Sequence, residues 1–155
     1  MYKIKQIPQD FVVKEISRVN PENSGQYAYF ILKKINYSSV RALEILSEKL
    51  NIKLKNLGFA GNKDKNAVTE QKISIKNFPS QRGKIFADYK LNNIELKYLG
   101  NGKIPVSLGD LDGNEFEITI RNIDVNDINK IFLLCIKKIL IPNFLACRDS
   151  AKITI

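Results

Sequence analysis

The segment GNKDKN, residues 61–66, sets one carboxylate, Asp64, between two lysines, Lys63 and Lys65. Neighbouring ammonium groups favour the ionised carboxylate, which suits a nucleophile or an electrostatic stabiliser better than a general acid. The same lysines offer point charges to phosphate groups. Gly58 and Gly61 stand just upstream, where backbone without a Cβ can turn tightly beside a ligand. On this hexapeptide alone, a solvated surface turn made of Asn, Lys, Asp and Gly is the simpler reading.

Composition narrows what other chemistry is open. Histidine is absent, which removes Ser-His-Asp and Cys-His nucleophile activation and every histidine-bearing zinc site. Cys135 and Cys147 are too few and too unpatterned for a disulfide framework or a metal knuckle, and Cys135 falls on the apolar side of a predicted helix as a buried, inert thiol. Any chemistry rests on carboxylates, lysines, hydroxyls or tyrosines. The 25 Lys and Arg against 16 Asp and Glu give a net charge of +9, which favours an acidic partner such as a nucleic acid or an anionic membrane surface. MYKIKQIPQDF lacks the apolar centre of a signal peptide, and no run approaches the roughly 18 apolar residues of a membrane span, so the chain reads as soluble and cytoplasmic.

These residues need elements to hold them. DFVVKEI from Asp10 and QYAYFILKKIN from Gln26 read as strands around the turn VNPENSG. Ser38 or Ser39 caps a predicted helix with Val40, Leu43, Leu46 and Leu50 on one face. LGFA and AVTEQKISIK are predicted strands on either side of NKDKN, which puts Asp64 at a loop tip. KLNNIELKYLG reads as one further strand and NEFEITIRNI as another, the latter starting at Asn114. Asp124 or Asn126 caps a second predicted helix carrying Ile128, Ile131, Phe132, Cys135 and Ile139, which ends before Pro142. The expected class is α+β: a mixed, mostly antiparallel sheet with helices packed on one face. At 155 residues the chain is one domain or part of one.

The longer string GFAGNKDKNAVTEQ changes the weight given to Asp64, because it resembles the signature of the TruD family of tRNA pseudouridine synthases over nearly every position. Two further segments resemble the family in the same order. KQIPQDFVVKEI is similar to its Lys-x-x-Pro-Glu-Asp-Phe-x-Val opening, with Gln9 where Glu is usual, and LGDLDGNEFEITIR is similar to its Leu-x-Gly-Asn-x-Phe-x-x-x-x-Arg segment. The resemblance implies a partial pseudouridine synthase catalytic domain and a tRNA partner, typically modified at position thirteen, with no metal or organic cofactor. It implies that Asp64 is the central catalytic group, acting on the anomeric carbon or assisting proton loss from the sugar to give a glycal. It implies a stacking role for Phe116 against the extruded uracil, a positioning role for Asn114, and a contact from Lys5 to the catalytic carboxylate. Arg121 is then either a phosphate contact or a structural ion pair, and Lys63 and Lys65 are candidate RNA contacts. Lys33, Lys34, Lys49, Lys53, Lys55, Lys72 and Lys76 are expected to add sequence-independent attraction to the tRNA backbone.

IPNF begins to resemble the family's Pro-Asn-Tyr-Phe-Gly-x-Gln-Arg-Phe-Gly segment, but the chain continues LACRDSAKITI, so the resemblance stops at Phe144. Restoring one base to a run of T in one back-translation of these residues spells Asn-Phe-Phe-Gly-Leu-Gln-Arg-Phe-Gly-Lys. Residues 1–144 are therefore expected to be the N-terminal part of the catalytic domain, and 145–155 an aberrant tail outside the family fold, produced by a frameshift near Phe144. Two other readings compete. One is a non-catalytic RNA-binding fragment using exposed aromatics such as Tyr27 or Tyr29, and the other a truncated product with no function of its own.

Overall fold

Runs in which β-branched and aromatic residues recur at every second position become strands, and the polar breaks between them become turns. A computed structural model describes residues 3–78, 88–122, 124 and 150–154. Strand β1 (Lys3–Ile4) leads into β2 (Phe11–Ser17) and β3 (Tyr27–Ile35), and helix α1 (Ser39–Leu50) follows. Then come β4 (Leu57–Phe59), β5 (Val68–Lys76), β6 (Asp88–Leu91), β7 (Ile94–Gly102), β8 (Leu111–Arg121) and β9 (Ser150–Thr154). They form one sheet in the order β1-β8-β2-β5-β3-β7-β6, with β4 also on β5 and β9 also on β8. β2 is parallel to β5 and β9 to β8, and the other described pairs are antiparallel. This is the mixed, mostly antiparallel α+β sheet expected from the sequence.

The helix covers half of one face. Ala28, Phe30 and Leu32 of β3, Ile73 and Ile75 of β5, and Ile94 and Leu96 of β7 pack with Ala42, Leu43, Leu46 and Leu50 of α1. Ser38 caps the helix by accepting from the Arg41 amide at 3.2 Å, and Asn51 closes it in the left-handed conformation. Val40, expected in the buried stripe, is exposed, because the 3.6-residue period places it on the stripe's flank and Ala42 nearer the centre. A second, smaller cluster of Val19, Tyr29, Ala60 and Val106 forms apart from it.

Two boundaries differ from the sequence reading. KLNNIELKYLG is the hairpin β6–β7, because Asn92 and Asn93 both take positive φ (29° and 67°) and close the two-residue turn between Leu91 and Ile94. β8 starts at Leu111 rather than Asn114. Ser150–Thr154, of the segment expected to be an aberrant tail outside the family fold, pairs along β8 as the parallel strand β9, where the outer edge of β8 offers unpaired backbone groups. The second predicted helix, with Asn126 and Cys135, lies outside the described residues, as does Cys147; of its two candidate caps only Asp124 is described, and it is exposed.

Candidate active site

Residues 61–66 connect β4 to β5, and long-range bonds hold this loop in place. Gln71 of β5 donates its side-chain amide to the Gly61 carbonyl at 3.0 Å. Ser39, the first residue of α1, donates to Gln71 Oε1 at 2.6 Å and accepts from the Lys63 amide at 3.0 Å. Lys34 of β3, 0% exposed, donates to the carbonyls of Tyr37 at 2.6 Å and Asp64 at 2.9 Å, with a longer contact to that of Lys63 at 3.4 Å. Burial pushes the Lys34 ammonium down to about 8, the Asp64 charge opposing that shift and Lys63 adding to it. Of the two upstream glycines, Gly58 is the one the geometry requires. A Cβ there would lie 2.4 Å from the Val106 carbonyl oxygen, whereas Gly61 faces open space.

So held, the loop presents its carboxylate to a hollow. Val13 pairs with Thr69 across β2–β5 and with Phe116 across β2–β8, so Phe11, Val13, Asn114 and Phe116 share the face that α1 covers farther along the sheet. With Asn62, Lys63 and Asp64 these residues line a hollow of about 190 Å³. Lys5 donates to Asp64 Oδ2 at 2.8 Å while its ammonium stands 3.7 Å from the centroid of the Phe11 ring. Lys5 adopts φ 53°, a left-handed conformation that a side chain other than glycine or asparagine seldom takes. The Phe11 and Phe116 rings are 5.9 Å apart, so cation, ring and ring form a row along the floor. The Asp64 side chain is 55% exposed, and an ion pair this open contributes about 0–1 kcal/mol, so Lys5 orients the carboxylate more than it stabilises the fold.

The structure thus brings together four residues the sequence nominated for catalysis: Lys5, Asp64, Asn114 and Phe116. Of the nominated RNA contacts, Lys65 is exposed beside Asp64. One is corrected. Lys63 points inward and meets Glu15 Oε2 at 2.8 Å with the two side chains 7% and 0% exposed, because Glu15 needs a counter-charge where its other oxygen accepts the Lys72 amide. Arg121 is engaged by both oxygens of the buried Asp10, at 2.7–3.1 Å, with its own side chain 46% exposed. Lys34 and Lys72 are also buried, Lys72 donating to the Val19 carbonyl, so neither is a surface contact. Lys33 is half-buried within 3.9 Å of Glu70, and Lys49, Lys53, Lys55 and Lys76 are exposed. Tyr29 is fully buried with its hydroxyl donating to the Ile104 carbonyl at 2.7 Å, and Tyr27 packs against the same cluster, so neither forms an open stacking surface.

The family described as tRNA pseudouridine synthase D (TruD) matches residues 2–147. The chain belongs to this family. It is similar to the tRNA pseudouridine synthase D of Aquifex aeolicus, with 43% identity over 121 residues, which are 78% of this chain and 31% of that protein. A probable TruD of Methanosarcina barkeri is 36% identical over 148 residues, 92% of this chain and 33% of its own length. The solved structure of a protein assigned as TruD from Methanosarcina mazei superposes with a TM-score of 0.76 at 36% identity, covering 85% of this chain and 30% of that one. The chain therefore spans about a third of the length of these relatives.

Within this TruD chain, several residues of the site went unread in the sequence. Phe11 lay inside a recognised segment but was taken only as strand. Lys34, Gln71 and Glu15 carried a usable signal: each is a polar residue in phase with buried apolar neighbours of its own strand, Phe30 and Leu32, Ile73 and Ile75, and Val13. A polar group at such a position has to find partners inside the fold.

Proposed function

We propose that the polypeptide carrying this chain isomerises a uridine of tRNA to pseudouridine, position thirteen being the family's usual target, with Asp64 as the central catalytic group. The observation that supports this best is the single hollow onto which Asp64, Asn114 and Phe116 open, with Lys5 bonded to the carboxylate at 2.8 Å. The base must leave its stack to be rotated, and the half-buried Phe116 ring offers a face for it, with Asn114 one pleat away for a hydrogen bond. The bond from C1′ to N1 breaks and one from C1′ to C5 forms, while C5 loses a proton and N1 gains one. Asp64 serves either by attacking C1′ or by taking a sugar proton on the way to a glycal, and the bond from Lys5 orients its carboxylate for either route. No metal or organic cofactor enters this scheme.

Lys65 at the loop tip, and Lys53, Lys55 and Lys76 around a separate hollow of about 540 Å³, are the exposed lysines proposed to meet phosphates. Among the described residues no helix is long and apolar enough to cross a membrane. A tRNA substrate places the reaction in the cytoplasm. The remainder of the base-binding cleft is proposed to come from the part of TruD proteins that this chain does not span, so residues 1–155 alone are expected to form little pseudouridine.

Asp64→Asn in the longest polypeptide that carries the chain is the test. Isomerisation should fall by several orders of magnitude while tRNA affinity changes little. Equal losses of affinity and activity would reassign Asp64 to binding or folding.

A further inference from the structure

Lys34 is a cation at the bottom of the site that the proposed reaction does not use. Its strand alternates Ala28, Phe30 and Leu32 toward the helix, and Lys34 follows in the same phase with no side-chain exposure. Opposite it stand Ile94 of β7 and Thr69 of β5, neither of which is ionisable. The charged groups near it come from the loop: the Asp64 carboxylate, which Lys5 holds from the far side, and Lys63, which Glu15 of β2 neutralises. Among the described residues no carboxylate lies within 4.0 Å of its ammonium. It is satisfied by three backbone carbonyls, at 2.6, 2.9 and 3.4 Å.

We propose that Lys34 is a positioning residue for Asp64, its buried ammonium clamping the loop's main chain at Lys63 and Asp64 to the turn at Tyr37 that precedes α1. The match is one of number as well as distance, because an ammonium has three N–H donors and three carbonyls converge on it. A neutral amine has two, so loss of the proton leaves one carbonyl without its donor in a place water does not reach. Two of the three carbonyls belong to consecutive residues, Lys63 and Asp64, and lie in the peptide planes on either side of the Asp64 Cα, so releasing either lets its plane rotate. That rotation moves the Cα that carries the catalytic carboxylate. Clamping is therefore complete when Lys34 is charged, and it loosens as pH rises through the lowered value of about 8. The functional meaning rests on Asp64 being the catalytic group, whereas the clamp itself does not.

The test uses the 155-residue chain without RNA, labelled with ¹³C and ¹⁵N. In the unsubstituted chain one lysine Cε signal should titrate with a midpoint about 8, and the amides of Asn62–Asn66 and the Asp64 carbonyl carbon should follow the same midpoint. Lys34→Met should abolish that shared transition and speed hydrogen exchange of the loop amides about tenfold, the size expected for losing about one net hydrogen bond. Should Lys34→Met fail to fold, the titration of the unsubstituted chain decides alone. The clamp is overturned if every lysine carbon titrates near its ordinary value, or if the loop amides ignore the lysine transition. A loop that titrates as expected in an enzyme indifferent to Asp64→Asn leaves the clamp standing and removes the catalytic reading. The reverse pair of results keeps that reading and removes the clamp.

Discussion

Asp10 and Asp64 are the same side chain put to opposite uses. Asp10 is buried at the start of β2, where Arg121 meets both of its oxygens and the amides of Gln6 and Ile7 donate to Oδ2 at 3.1 and 3.3 Å. The planar guanidinium matches the carboxylate on two bonds at once, whereas Lys5 meets Asp64 through Oδ2 alone. The Arg121 guanidinium holds the Asp10 carboxyl below its ordinary 3.8, burial opposing the shift. A carboxylate whose folded value is depressed contributes stability that is fully present above the unfolded value and is lost as pH falls through the folded one. Asp10→Asn should therefore lower the urea midpoint at neutral pH, and the gap from the parent should narrow as pH drops below 3.8. Urea titrations at several pH values check this, and a gap that stays constant into the acid range would mean that the Asp10 charge is not what Arg121 stabilises.

Among the elements, the three-residue strand β4 decides where the loop that carries Asp64 begins. It pairs with β5 from Leu57 to Phe59 and is covered by the segment after β7, whose Val106 amide donates to Ser74 Oγ at 2.9 Å and whose Gly109 amide donates to the Ala60 carbonyl at 2.9 Å. Gly58→Ala would push its methyl to 2.4 Å from the Val106 oxygen and 2.7 Å from Ser74 Oγ, and the first of these is backbone that cannot swing aside. A loss of about 1–3 kcal/mol is expected from such overpacking, read as a lowered denaturation midpoint. A change within about 0.5 kcal/mol would show that β4 slides freely. Elements of this kind were legible in sequence wherever one face is apolar, as in β3, β5 and α1. Asn92-Asn93 was passed over because the strongest signal for a two-residue hairpin ends in glycine, though asparagine tolerates the same conformation. Asp64 was legible because its neighbours in sequence are also its neighbours in space. Lys34, 30 residues from the carbonyl it holds, and Glu15, 57 residues from the amide it caps, act across strands and carry no local motif.

At the scale of the whole molecule, α1 closes the part of a sheet face over β3, β5 and β7, and among the described residues the part over β2 and β8 carries the hollow. The outer edge of β8 bounds that part, and it is shared by β1 at Ile120 and Arg121 and by β9 at Glu115–Thr119. β9 is drawn from LACRDSAKITI, the one stretch that departs from the TruD pattern, although the family match runs to Cys147 and the relatives are about three times as long. We propose that residues 145–155 are read from a shifted frame and that β9 fills an edge which another segment occupies in the uninterrupted polypeptide. An exposed edge accepts any extended segment able to supply amides and carbonyls in step, so strand pairing here does not require a strand evolved for the place. The gene decides the matter. With one base restored near the codon for Phe144, the reading frame should continue Phe-Gly-Leu-Gln-Arg-Phe-Gly-Lys, and the restored polypeptide should form pseudouridine in tRNA far faster than residues 1–155. A nucleotide sequence whose neighbouring frame lacks Gln-Arg-Phe-Gly would instead make residues 145–155 an in-frame segment and β9 a native strand.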